Sequence, residues 1–162
     1  MQPASPRVVE LLNEALAFEL TVTNAYFLHA RMLDNWGLSR LGKVFYELSI
    51  DEMKDSDALI SRILMFDGHP NVQKLNPIHV GETPEEMLRL ALDSELAAVA
   101  QFNAAAEECR GLGDHGTAAL FEEMVRDEET HADWFEGQLD AVGRVGAAQY
   151  LSQQLSAGDS PT

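Results

Sequence analysis

Apolar residues recur at steps of three and four along four long segments of the chain, and strand-like alternation is missing. The first segment runs from Pro6 to Asp34, with Ser5 placed to cap it and Pro6 at its first helical position. Asn35-Trp36-Gly37 interrupts the pattern, and a second segment follows from Ser39 to Asp67, stopping at Gly68-His69-Pro70. The third opens on Thr83-Pro84-Glu85-Glu86 and reaches Arg110, and Gly111-Leu112-Gly113-Asp114 separates it from a fourth that ends near Gly143. A short fifth segment, Ala147 to Leu155, precedes a polar tail from Ala157 to Thr162 that is expected to be disordered. The fold class is therefore all-α, with one domain over residues 1–156 and a tail over 157–162.

Connection lengths set the expected topology. The first and third are a few residues long, so each joins antiparallel neighbours. The second, Gly68 to Thr83, is sixteen residues. A helix of about 28 residues is roughly 42 Å long, and sixteen extended residues reach roughly 53 Å. The connection can travel the length of a bundle, so that helix three runs parallel to helix two. Two separate hairpins would leave each pair without cover for its apolar face.

The apolar stripes are interrupted near their middles by ionisable groups. Helix one reads Val8, Leu12, Ala15, Glu19, Val22, Tyr26, Leu33; helix two reads Leu41, Phe45, Leu48, Glu52, Asp55, Leu59, Ile63, Phe66. Helix three reads Leu88, Leu92, Glu95, Val99, Phe102, Ala106, Cys109; helix four reads Phe121, Val125, Glu128, His131, Phe135, Leu139, Val142. An unpaired buried carboxylate costs several kcal/mol or takes up a proton. Five acids and one histidine converging in a core require cations between them. The register supports convergence: Glu19 and Glu52 lie 33 positions apart, as do Glu95 and Glu128. At an offset of 76, Asp51-Glu52-x-x-Asp55-x-Asp57 lies over Asp127-Glu128-x-x-His131-x-Asp133, and Tyr26 lies over Phe102. Such a repeat implies a pseudo-twofold axis with two equivalent metal positions. Glu19, Glu52, Asp55, Glu95, Glu128 and His131 are the expected ligands, with Glu52 and Glu128 bridging and Glu19 and Glu95 terminal. This oxygen-rich set suits iron or manganese better than structural zinc. Asp57 and Asp133 either orient ligands or are solvated surface acids.

Composition narrows the partners. Eleven Lys and Arg against 27 Asp and Glu give a net charge of −16, which disfavours nucleic acid and anionic membranes and favours cations. The single cysteine, Cys109, excludes an internal disulfide and a multi-thiolate zinc site, and reads as a small core residue. Neither a signal-peptide pattern nor an 18-residue apolar run is present, so the expectation is a soluble cytoplasmic protein.

Four stretches together resemble the bacterioferritins over nearly the whole chain: Asn24-Ala25-Tyr26-Phe27-Leu28-His29-Ala30-Arg31-Met32, Asp51-Glu52-Met53-Lys54, Gly68-His69-Pro70-Asn71-Val72-Gln73 and Arg126-Asp127-Glu128-Glu129-Thr130-His131. The resemblance implies a ferritin-like four-helix bundle with a long crossover between helices two and three and a short C-terminal fifth helix. It implies a shell of 24 subunits storing ferric mineral, each subunit a ferroxidase that oxidises Fe(II) with dioxygen or peroxide at an intra-bundle di-iron site. It implies haem b between twofold-related subunits with Met53 as axial ligand, and a ferredoxin-type protein as an electron donor such a shell allows. The family pattern has His where this chain has Asp55. Either Asp55 coordinates, giving an all-carboxylate half-site, or that position binds iron poorly. In the second case the chain is a ferroxidase-impaired, haem-binding structural subunit that relies on a partner chain in a heteromeric shell.

Other residues carry weaker expectations. Tyr26 and Trp134 either supply electrons or pack the core. Glu47 and Asp51 line the cavity wall and nucleate mineral, and His69, His79 and His115 are solvated loop residues. Small DNA-protecting ferritin relatives and rubrerythrin-like peroxidases are disfavoured. The first need intersubunit ligands with no counterpart here and lack a fifth helix, and the second need an iron–sulfur site that one cysteine cannot build.

Overall fold

The computed structural model describes residues 1–155, and the tail expected over 157–162 lies outside them. Five helices follow in order: α1 Pro6–Asn35, α2 Ser39–Met65, α3 Pro84–Gly111, α4 His115–Val145 and α5 Ala147–Ser152. No strand occurs among the described residues. The helix starts have chemical causes. Ser5 Oγ accepts from the Arg7 N–H at 3.3 Å, Thr83 Oγ1 from Glu86 at 3.1 Å and Asp114 Oδ1 from Thr117 at 3.0 Å, each satisfying an otherwise orphaned donor of a first turn. Gly37 and Gly113 take φ near +80°, which lets the two short connections reverse within three residues. Helix ends differ from expectation by one to three residues, α2 stopping at Met65 rather than Asp67. His115 is the first residue of α4 rather than part of a loop, although it is exposed. The fifth helix ends at Ser152, three residues early, because its end is held from outside: the Arg40 N–H donates to Gln154 O and the Arg40 guanidinium to Gln153 O.

The crossover climbs α1. Asn13 Nδ2 donates to His69 O, the Asn71 N–H donates to Asn13 Oδ1, the Asn76 N–H to Thr21 Oγ1, and the Gly81 N–H to His29 Nε2. Loop residues 69 to 81 thus advance beside α1 residues 13 to 29, about 24 Å at the helical rise. The chain enters α3 at the end of the bundle where α2 began, so α2 and α3 run parallel, as the loop length predicts. His29 is buried, and burial pushes its pKa down to about 4, which keeps Nε2 free to accept. Replacing His29 with Leu orphans the Gly81 N–H and is expected to cost about 1–3 kcal/mol. Chemical denaturation, together with faster amide exchange at Gly81, measures the loss.

The apolar core forms in two blocks. One contains Val8, Leu12, Leu16, Leu59, Ile63, Phe102 and Phe121; the other contains Tyr26, Leu33, Leu41, Phe45, Leu88, Phe135 and Tyr150 of α5. Between the blocks lies a polar layer. Among the described residues, no helix is long and apolar enough to cross a membrane.

Candidate metal centre

The layer between the two apolar blocks is made of the residues that interrupt the four stripes. α1 supplies Glu19, α2 supplies Glu52 and Asp55, α3 supplies Glu95, and α4 supplies Glu128 and His131. Each glutamate follows an apolar residue by three or four positions, so the helical period that buries Leu16, Ala91 and Val125, and partly buries Leu48, also carries the acid inward. All four glutamates are 1% exposed, while Asp55 and His131 are part-buried.

The acids form two overlapping quartets. Glu52, Glu95, Glu128 and His131 offer one ligand atom each within 4.8 Å of one another, and so do Glu19, Glu52, Asp55 and Glu128. Glu52 and Glu128 belong to both. His131 Nδ1 stands 3.3 Å from Glu52 Oε1, 3.7 Å from Glu128 Oε2 and 3.8 Å from Glu95 Oε2. The Tyr26 hydroxyl donates to Glu95 Oε1 and fixes that carboxylate from the second apolar block. Both Glu19 oxygens, Glu52 Oε1, Glu128 Oε1 and His131 Nδ1 have no hydrogen-bond partner. Buried polar atoms are normally satisfied, so this many orphans in one layer mark groups shaped for cations. Two divalent ions fit the donor set.

The titration of the layer agrees. Burial, then the charges of Glu52 and Glu128, hold the Glu19 carboxyl well above its ordinary value. Burial also raises Glu52, against the pull of His131, and lifts Glu128 to about 8, helped by its neighbour Glu95. Burial, then the charges of Glu52 and Glu128, raise Asp55 to about 7. Burial alone would lower His131, but the carboxylates of Glu128, Glu52 and Glu95 outweigh it and push the imidazole up to about 12. Without metal, protons and an imidazolium occupy the charge role of the ions. A cleft of about 280 Å³ lined by Asp51, Lys54, Asp55, Asp127, Thr130 and His131 opens beside the layer.

The remaining sequence expectations divide. Asp57 and Asp133 are exposed, so of the two readings offered for them the solvated one matches the structure. Trp134 packs edge-on against Phe135 with ring centroids 5.1 Å apart. Cys109 is fully buried among apolar side chains, while His69 and His79 are exposed. Glu47 is exposed and paired with Lys43, and Asp51 pairs with Lys54 at 2.7 Å. Met53 is 49% exposed on the outer face of α2. It shares a helical stripe with Ile50 and Tyr46, and the Tyr46 ring lies 6.3 Å from exposed Phe27 of α1. The Arg31 guanidinium lies over both rings, 5.9 Å from the Phe27 centroid and 5.4 Å from the Tyr46 centroid. Sequence reasoning missed His29, Thr21, Ser49 and Ser56, all buried. Ser56 was detectable, standing four residues after Glu52 and three before Leu59 on the inward stripe.

Comparison with known proteins agrees with this geometry. A model of the ferritin-like domain matches residues 9–145. The chain is 43% identical over 145 residues to the bacterioferritin of Brucella melitensis, covering 90% of each chain. It is 41% identical over 151 residues to that of Mycolicibacterium paratuberculosis, covering 93% of this chain and 95% of the relative. With the bacterioferritin of Rhodobacter capsulatus the identity is 41% over 140 residues, with 86% and 87% covered.

Proposed function

The chain belongs to the bacterioferritins, and from that premise we propose that it stores iron, oxidising Fe(II) at the buried layer and holding ferric mineral inside a shell of 24 subunits. The iron-binding unit is residues 1–156, and it works in the cytoplasm. The observation that carries this reading is the set of orphaned carboxylate oxygens of Glu19, Glu52 and Glu128, within two quartets that draw on four helices and have two members in common.

The residues divide the work by position. Glu52 and Glu128, common to both quartets, bridge the two substrate ions, while Glu19 and Glu95 are terminal. His131 gives the single nitrogen, and Asp55 gives an oxygen on the opposite side. The net charge of −16 concentrates Fe(II) around the protein, and the cleft beside Asp55 and His131 admits it. Arriving Fe(II) displaces the proton held by Glu128 and the extra proton of His131, so uptake releases acid. Two Fe(II) held together give up one electron each. That pair reduces one dioxygen to peroxide, or one peroxide to two hydroxides. Tyr26, hydrogen-bonded to Glu95, keeps that carboxylate in place throughout.

Stopped-flow mixing of metal-free protein with Fe(II) in air tests the proposal. A fast phase saturating at two Fe(II) per subunit supports it; the slow rate of Fe(II) in buffer alone, at every ratio, opposes it.

Met53 would hold haem b at the outer face together with the Met53 of a second copy; the exposed thioether on the stripe of Tyr46 and Ile50 supports this. Met53→Leu keeps the side-chain volume and removes the sulfur donor. The variant is expected to fold normally and lose the haem absorption bands after reconstitution, and retained bands would remove Met53 from the role.

A further inference from the structure

The internal repeat makes the two metal positions equivalent in place but not in chemistry. Asp55 lies over His131 at the 76-residue offset, each three residues after a bridging glutamate. One quartet therefore offers three carboxylates and an imidazole, and the other offers four carboxylates, Glu19, Glu52, Asp55 and Glu128. Both oxygens of Glu19, a member of that second quartet alone, have no partner at 1% exposure, so it is a built site rather than a surface cluster of acids. Asp55 also lines the 280 Å³ cleft, which leaves room for water in the remaining coordination positions.

Ligand type sorts metals. Imidazole favours iron and zinc, whereas carboxylate and water suit manganese, magnesium and calcium. Resting on the metal-binding role proposed above, we infer that the quartet of Glu19, Glu52, Asp55 and Glu128 takes a hard, oxygen-seeking divalent ion of the manganous class, while the His131 quartet selects the more nitrogen-seeking ion. A subunit offered both kinds fills as a mixed pair. The preference is set by one side chain on each half, because the two bridging glutamates are common to both.

The test supplies one equivalent of Zn²⁺ together with excess Mn²⁺ to the metal-free protein under nitrogen, since Zn²⁺ binds a given site more tightly than Mn²⁺ and must be limiting for ligand type to sort the two. Anomalous scattering at each absorption edge locates the ions, and Mn²⁺ electron paramagnetic resonance counts them. The expected result is one Mn²⁺ beside Glu19 and Asp55 and one Zn²⁺ beside His131. Asp55→His should lower Mn²⁺ occupancy about tenfold or more as the missing nitrogen donor returns. The reciprocal His131→Asp change should raise Mn²⁺ toward two per subunit, which keeps the test decisive if the first variant folds poorly. Two ions bound with the same preference on both sides, or an Asp55→His protein that takes Mn²⁺ unchanged, would overturn the inference and leave the iron-binding role standing. Failure of either metal to enter the layer would overturn both.

Discussion

Glu52→Gln should abolish fast Fe(II) oxidation while leaving the helical bundle intact. Glu52 is a member of both quartets, so its loss weakens both positions at once. The amide keeps the shape but loses the charge and one strong donor oxygen. Losing an outer partner of a metal ligand costs about 10- to 100-fold in affinity or activity, and loss of a bridging ligand should exceed that, beyond about 100-fold. The stability effect has the opposite sign. Above pH 8 the metal-free variant should melt no lower than the parent, since one of several converging negative charges is gone. Isothermal titration for stoichiometry, stopped-flow for rate and a melting curve together check the pair of expectations. A variant that oxidises Fe(II) at the parent rate would remove Glu52 from the centre.

Metal loading should raise the melting temperature by a margin that widens with pH. Glu19, Glu52, Asp55 and Glu128 all titrate higher in the folded protein than their ordinary values. Such acids bind more protons folded than unfolded, so their contribution to stability falls as pH rises, from 4.5 to about 8 for Glu128 and from 3.8 to about 7 for Asp55. His131, raised to about 12, has the same sign: its contribution is complete below pH 6.5 and is lost as pH rises toward 12. The metal-free protein therefore weakens on the alkaline side, where deprotonated ligands bind metal best. At concentrations 100-fold above the dissociation constant each ion adds about 2.7 kcal/mol, or about 5 kcal/mol for two. For a chain of this size that is roughly 10–20 °C. Scanning calorimetry with and without Zn²⁺ at pH 6 and pH 8.5 measures it, and an equal or smaller gap at the higher pH would contradict the assignment.

The sequence made the helices and the buried layer legible because both obey the 3.6-residue period. Glu19, Glu52, Glu95 and Glu128 could be placed inward because their apolar neighbours on the stripe had to be inward. The crossover's direction followed from its length. What held it did not, because His29 and Thr21 act through single bonds to backbone N–H groups of a loop without periodicity. The early end of α5 depended on Arg40, more than a hundred residues away, which local pattern cannot register. Asp57 and Asp133 lay near the stripe edge, where a shift of one position turns a side chain by 100° from the core to solvent. Asp55 was visible as the break in the internal repeat, and its consequence lies in coordination chemistry rather than folding.

The central claim is that cations occupy the space between these carboxylates, and crystals soaked in ferrous salt under nitrogen test it most directly. The account predicts two anomalous peaks at the iron edge in each subunit, about 3.5–4 Å apart as in two-metal centres, with Glu52 and Glu128 touching both. Absence of density there, with Glu52 and Glu128 turned apart, would contradict it.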